Sequence, residues 1–171
     1  MNTNRTADLL NKDHIKYLFS IFENNNAEIR LVGGCIRDIF LNKVSKDIDT
    51  ATDIKPNEII EILNKNKIEY DDFAIQYGSI ISYPLEHKVQ ITTLREDVNQ
   101  MGRHTNVIYT KDWQKDAARR DFTFNAMYLG SNNKLFDFYN GEEDLEEKKI
   151  RFIGEIEDRI KEDYLRIYRY F

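Results

Sequence analysis

The 171 residues carry 25 Lys and Arg against 30 Asp and Glu, a formal net charge of −5, with 41% hydrophobic and 12% aromatic residues. That hydrophobic content supports a packed core and excludes disorder as the default, and the length fits one domain, or one domain with a stub. The acidic balance excludes a surface that holds nucleic acid by bulk charge, because RNA affinity rests on phosphate neutralisation; any RNA contact must be local or supplied from elsewhere. The single Cys35 rules out an internal disulfide and fits a reducing compartment. No apolar run approaches the roughly 20 residues that span a bilayer, so no membrane partner is expected. The opening MNTNRTADLLNKDH has no apolar leader core, and a cytoplasmic protein is the plain expectation.

Residues 8–23 have helical spacing through Leu9, Leu10, Ile15, Leu18, Phe19 and Phe22, ended by three asparagines at 24–26. Glu28–Val32 reads as a strand running into Gly33-Gly34, with a helix from Cys35 to Leu41. Asp47–Ala51 alternates as a second strand, and Pro56 starts a helix to about Lys65 with Ile59, Ile60 and Leu63 as its buried stripe. The stretch 79–94, turning near Pro84–His87, predicts a β-hairpin. Residues 95–111 are polar and predicted to be mobile. Helices are expected around 112–128, then a strand at Lys134–Phe138, the acidic GEEDLEEKK at 141–149, and a last helix from about Glu155. The irregular alternation predicts an α+β fold, a mixed sheet with flanking helices.

Asp47 and Asp49 lie two apart in a strand, so both side chains project from one face. Carboxylates that close repel unless a cation lies between them, and oxygen-only ligands suit Mg²⁺, which keeps substrate phosphates among its ligands. A bare D-x-D also fits an exposed strand edge. Gly33-Gly34 lets backbone N–H groups approach a phosphate ahead of a helix, with Arg37 one turn on; it also fits a plain tight turn. Residues 163, 166 and 169 are three apart and are expected on one helix face. There Asp accepts from an exocyclic amine and Arg donates to ring acceptors, which admits cytosine and adenine; a surface ion pair is the blander alternative. Trp113, Phe122 and Phe124 read as core, and His14, His87 and His104 have no metal-ligand spacing.

The order LVGGCIRD (31–38), KDIDTAT (46–52), ARRDFTFNAM (118–127) and EDYLRIYRYF (162–171) resembles the head of class II tRNA nucleotidyltransferases, the CCA-adding enzymes, and their bacterial poly(A) polymerase relatives. The resemblance runs from about Ile29 to the last residue. It implies a nucleotidyltransferase (polymerase-beta-like) fold, with 1–154 as catalytic head and 155–171 as the start of a nucleotide-recognising neck helix. It also implies that Asp47 and Asp49 ligate catalytic Mg²⁺, and that Gly33, Gly34 and Arg37 hold the triphosphate. Arg119, Arg120, Asp121 and Asn125 would grip phosphates and ribose. Asp163 and Arg166 would read the incoming base, with Arg169 in support, and GRH at 102–104 lies where the family has a loop that switches from C to A.

Two departures stand beside these matches. Gln90 occupies a position where many members carry a carboxylate. The family also continues beyond the final helix into neck, body and tail domains that hold tRNA, so the expectation is a truncated head. The implied substrates are ATP, CTP and the tRNA 3′ end, with a second polypeptide supplying the absent part. An inert remnant or nucleotide-binding module, and a poly(A) polymerase, are the competing readings. The unpartnered apolar stripe Leu165, Ile167, Tyr168 and Phe171 is expected to be exposed.

Overall fold

A computed structural model of the chain describes residues 3–45, 47–101 and 104–171. Two helices open it, α1 (Thr3–Leu10) and α2 (Asp13–Glu23). The apolar spacing that predicts one helix over 8–23 is thus divided, because Lys12 adopts extended backbone angles (φ −63°, ψ 133°). β1 (Ile29–Val32) passes through Gly33 into α3 (Gly34–Phe40), and β2 (Asp49–Thr52) leads to α4 (Pro56–Lys65). The Glu58 carboxylate accepts from the Lys55 N–H at 3.0 Å, occupying a donor at the start of α4. The buried stripe of α4 runs through Ile59, Ile62 and Leu63, with Ile60 only partly buried.

β3 (Tyr70–Asp71), β4 (Ser79–Ser82) and β5 (Val89–Thr93) follow, and β4 and β5 form the expected hairpin. In the stretch after Leu94, where the sequence predicts no regular element, β6 (Arg95–Met101) and β7 (His104–Tyr109) pair as a two-stranded ribbon. Gly102 and Arg103 of the GRH segment lie outside the described residues. Next come α5 (Trp113–Ala118), β8 (Met127–Leu129), β9 (Leu135–Asp137), α6 (Gly141–Glu146), α7 (Ile156–Glu162) and α8 (Leu165–Tyr170). Residues 127 and 128, at the end of the stretch expected as helix, are therefore strand, and the acidic segment forms α6. Asp112 starts α5 by accepting from the Gln114 and Lys115 N–H groups at 2.9 and 3.3 Å, an N-cap.

Seven strands make one mixed sheet in the order β3-β4-β5-β2-β1-β8-β9. Only the β2–β5 pair is parallel. Side-chain alternation separates its faces. One face packs Leu31, Ile80, Val89, Ile91 and Leu129 against Ile15, Leu18, Phe22, Ile36, Ile59 and Leu63 from the helices. Each such side chain, fully buried, contributes about 1.5–3 kcal/mol. The opposite face carries Val32, Ala51 and Tyr128 under a smaller cluster with Trp113, Ala117, Ala126 and Ile153. Arg30 secures α5 there, its guanidinium 3.8 Å from the Trp113 ring and 3.5 Å from that of Phe136. Trp113 and Phe122 are core, as expected. Leu165, Ile167, Tyr168 and Phe171 are exposed, also as expected. Among the described residues no helix is long and apolar enough to cross a membrane.

The His14 and His87 rings stack at 4.1 Å, 5° from parallel, joining α2 to the hairpin turn. Burial, then the His87 and Lys12 charges, lower the His14 pKa from 6.5, with Asp13 opposing. An imidazole depressed on folding contributes stability that is complete above its unfolded pKa and is lost as pH falls through the folded value. The melting temperature is therefore expected to fall between pH 7 and 5. His14→Phe, which keeps a stacking ring and removes the proton site, should show a smaller fall in the same melts; an equal fall would assign the loss to other groups.

Candidate active site

Gly33 has φ 73° and ψ −126°, a backbone region open essentially to glycine. That turn reverses β1 into α3 and brings Arg37 over the strand ends. Arg37 is fixed on two sides: Nε and Nη2 donate to Asp38 Oδ1 at 3.0 and 2.8 Å, and Nη1 donates to Asn125 Oδ1 at 3.1 Å. Asn125 Nδ2 donates to Asp121 Oδ1 at 3.1 Å. Arginine only donates and carboxylate only accepts, so the amide orientation of Asn125 is determined by its partners. Asp121 Oδ2 lies 3.3 Å from Arg169 Nε, and Arg169 Nη2 bonds Asp163 Oδ2 at 2.9 Å. One unbroken chain of polar contacts thus runs from the glycine turn, through the 118–127 segment, to the last helix.

These side chains surround a cavity of about 440 Å³ lined by six arginines (37, 95, 119, 120, 166, 169), four aspartates (49, 97, 121, 163), both glycines and Asn125. The excess of guanidinium there supplies the local positive charge that the acidic chain as a whole lacks. Asp47 is the one site residue expected from sequence that does not line it. It precedes β2 and is exposed, correcting its expected place in the strand. The reason lies in β1, which pairs Leu31 with Thr50 and ends at Val32, leaving no strand partner for residues 47–48 on that side.

Asp49 opens β2 in register with Gln90 of β5. Burial raises the Asp49 pKa; Arg120 opposes the rise and Asp47 adds to it. Among the described residues no group of three or more His, Cys, Asp or Glu could hold a metal. Beyond Asp49, a second lobe of about 430 Å³ is lined by Gln90, Thr92, Ser79 and Tyr77, and shares Asp49, Arg95, Arg119 and Arg120 with the first.

The expected single helix face for residues 163, 166 and 169 needs correction. Asp163 is extended (φ −152°, ψ 104°) and separates α7 from α8. Its Oδ1 accepts the Leu165 N–H at 2.9 Å, holding the break open. The buried Arg166 guanidinium pairs with Glu162, at 2.7 Å, and with the Arg159 carbonyl, at 2.9 Å, while the Arg166 backbone N–H donates to the Asp163 carbonyl at 3.0 Å. All three residues still face the cavity. Sequence reasoning missed Arg95, Asp97, Glu162 and Asp116; Glu162 and Asp116 stand at helical i,i+4 spacing from Arg166 and Arg120, a signal that was available.

The mixed sheet carries a glycine turn, Asp49 at a strand start and an arginine-lined cavity on one face. The chain belongs to the poly(A) polymerase head-domain family, whose model matches residues 29–151. It is 45% identical over 158 residues to the human mitochondrial CCA tRNA nucleotidyltransferase 1, covering 92% of this chain and 36% of that protein. It is 35% identical over 148 residues to the CCA-adding enzyme of Oceanobacillus iheyensis, covering 85% and 36%. Among solved structures, the Bacillus stearothermophilus CCA-adding enzyme in complex with CTP superposes with a TM-score of 0.81 at 25% identity, over 92% of this chain and 38% of that one. The Thermotoga maritima CCA-adding enzyme in complex with tRNA gives 0.71 at 26%, over 96% and 39%. The chain therefore spans little more than a third of the relatives it matches.

Proposed function

We propose that the chain is a nucleotide-transfer head that moves CMP or AMP from CTP or ATP to a tRNA 3′ end. The carrying observation is the continuous polar chain Arg37–Asn125–Asp121–Arg169–Asp163 around one cavity with Asp49 at its edge. In this reading Gly33, Gly34, Arg37, Arg119 and Arg120 hold the triphosphate, and Asp121 and Asn125 meet the ribose. Asp163 and Arg166 meet the base as separately anchored acceptor and donor, with Arg169 bracing Asp163. Residues 155–171 act as the start of a neck that closes the base side of a head formed by 1–154. The acceptor 3′ oxygen enters through the second lobe and bonds to the α-phosphorus. The α–β bridge breaks, pyrophosphate leaves with the bonding pair, and the hydroxyl proton passes to solvent. Asp47 and Asp49 would hold Mg²⁺, which supplies charge neutralisation at the reacting oxygens. The body of the RNA would be held by sequence beyond these residues, in the same polypeptide or a second one. A lone buried Cys35 supports a reducing compartment, read here as the cytoplasm, although the human relative is named mitochondrial.

Gln90 beside Asp49 favours one alternative, a head that binds nucleotide without transferring it. Incorporation of labelled CTP and ATP into tRNA lacking its 3′ end, with Mg²⁺ and a supplied neck–body–tail fragment, separates the two. Incorporation that vanishes in Asp47→Ala/Asp49→Ala supports the transferase. Triphosphate binding without incorporation supports the binding module, and preference for an oligo(A) primer over tRNA would reassign the acceptor.

A further inference from the structure

Asp116 is the last-turn carboxylate of α5, fully buried and absent from the cavity wall. Its two oxygens receive groups from three parts of the fold. Oδ1 accepts from Arg119 Nε at 3.0 Å and from the Arg95 backbone N–H at 3.1 Å. Oδ2 accepts from Arg120 Nη2 at 3.0 Å and from the Tyr128 hydroxyl at 2.7 Å. Tyr128 in turn accepts from Arg120 Nε at 3.2 Å. Adjacent arginines repel and have long, freely rotating side chains, and one carboxylate here fixes both by their inner edges.

Arg119 and Arg120 both line the cavity. A Cβ added at Gly33 would lie 3.8 Å from Arg120 Nη1, so the outer nitrogen of Arg120 reaches the glycine turn. Arg119 Nη1 lies 3.7 Å from Asp97, whose other oxygen is 3.3 Å from Arg95 Nε. Burial opposes ionisation of Asp116, but Arg120, Arg119 and the Tyr128 hydroxyl hold its carboxyl well below the usual range. The carboxylate divides its oxygens between two neighbouring arginines and takes the first residue of the β6–β7 ribbon as well.

We infer that Asp116 is a positioning residue for triphosphate binding, aligning Arg119 and Arg120 as a paired phosphate clamp and tying the root of the ribbon to them. The inference rests on the reading of the cavity as a triphosphate site. It is tested by calorimetric titration of the purified chain with inorganic tripolyphosphate and with MgATP, alongside thermal melting. Asp116→Asn keeps shape and removes the charge. It should weaken both ligands about 10–100-fold, the range over which outer partners of a binding site act. Ser82→Ala, which removes a buried hydroxyl bonded to the Val89 carbonyl far from the cavity, supplies the comparison. It should destabilise the fold yet leave both affinities at the wild-type value. Wild-type affinity in a folded Asp116→Asn overturns the inference alone. Equal losses of affinity in both variants make Asp116 merely structural, which also overturns it. A folded wild type that binds neither ligand overturns the inference together with the triphosphate reading.

Discussion

Asp49→Asn is expected to lower nucleotide incorporation on the order of 10³-fold or more while leaving the metal-free fold as stable as before, or more so. The two effects share one origin. Asp49 starts a central strand with one flank open to the cavity, and burial raises its pKa above 3.8. A carboxyl raised on folding costs stability once pH exceeds its unfolded value, and the cost is relieved as pH falls through the folded value. The neutral amide removes that cost at pH 7. It also removes the one carboxylate that, among the described residues, both lobes share, which under the proposed function would hold the metal that neutralises charge at the reacting oxygens; there a loss of about 1.4 kcal/mol already means tenfold. Single-turnover incorporation and melting in chelator test both halves. Substantial residual transfer would move the chemistry elsewhere, and a lowered melting temperature would make Asp49 a structural residue.

The largest effect on stability is expected at Gly141, which opens α6 and donates its N–H to the Asp137 carboxylate at 2.9 Å. A Cβ there would stand 2.5 Å from the Thr123 carbonyl oxygen, 2.7 Å from its carbon and 2.8 Å from Phe124 Cα. Every clashing atom is backbone, so no rotamer change can relieve it. Gly141→Ala must displace α6 from the 3₁₀ turn at Thr123–Asn125, at a cost of about 3 kcal/mol, the upper part of the range for overpacking. For a domain of this length that corresponds to a melting temperature lower by about 6–12 °C. Because Asn125 sits on the displaced turn and bridges Arg37 to Asp121, triphosphate affinity should fall as well. A melting temperature within a degree of wild type would mean that α6 slides away at little cost.

The sequence makes legible whatever local chemistry decides. The glycine turn and the strand start at Asp49 have short-range signatures, whereas Arg119, Arg120, Asp121 and Asn125 are singled out by the resemblance of their motif; all of them line the one cavity. Contacts decided by tertiary context were misread or missed. Spacing of three predicts one helix face for Asp163, Arg166 and Arg169, but the Asp163 carboxylate caps the Leu165 N–H and breaks the helix before the pattern can act. Arg166 then finds Glu162 instead. The polar stretch after Leu94 carries no apolar stripe, so its pairing as a ribbon left no trace in composition. Asp116 resembles any helix carboxylate until β8, which itself reads as helix, brings Tyr128 to it.

The central place of β1 has a consequence for the order in which the protein can assemble. Its two neighbours lie far apart in the sequence: Leu31 pairs with Thr50 on one side and with Leu129 on the other. A ribosome that has finished β2 must add 77 more residues before β8 is complete, which at usual elongation rates takes about 4–15 s. For that interval β1 is an open edge with Leu31 and Val32 on it, a template for pairing with other nascent chains. The same delay applies to the arginine pair, since the hydroxyl of Tyr128 that completes the Asp116 lock arrives on the strand that closes the sheet. Nascent chains held short of β8 should therefore be both sticky and blind to nucleotide, and should lose both properties together when that strand docks.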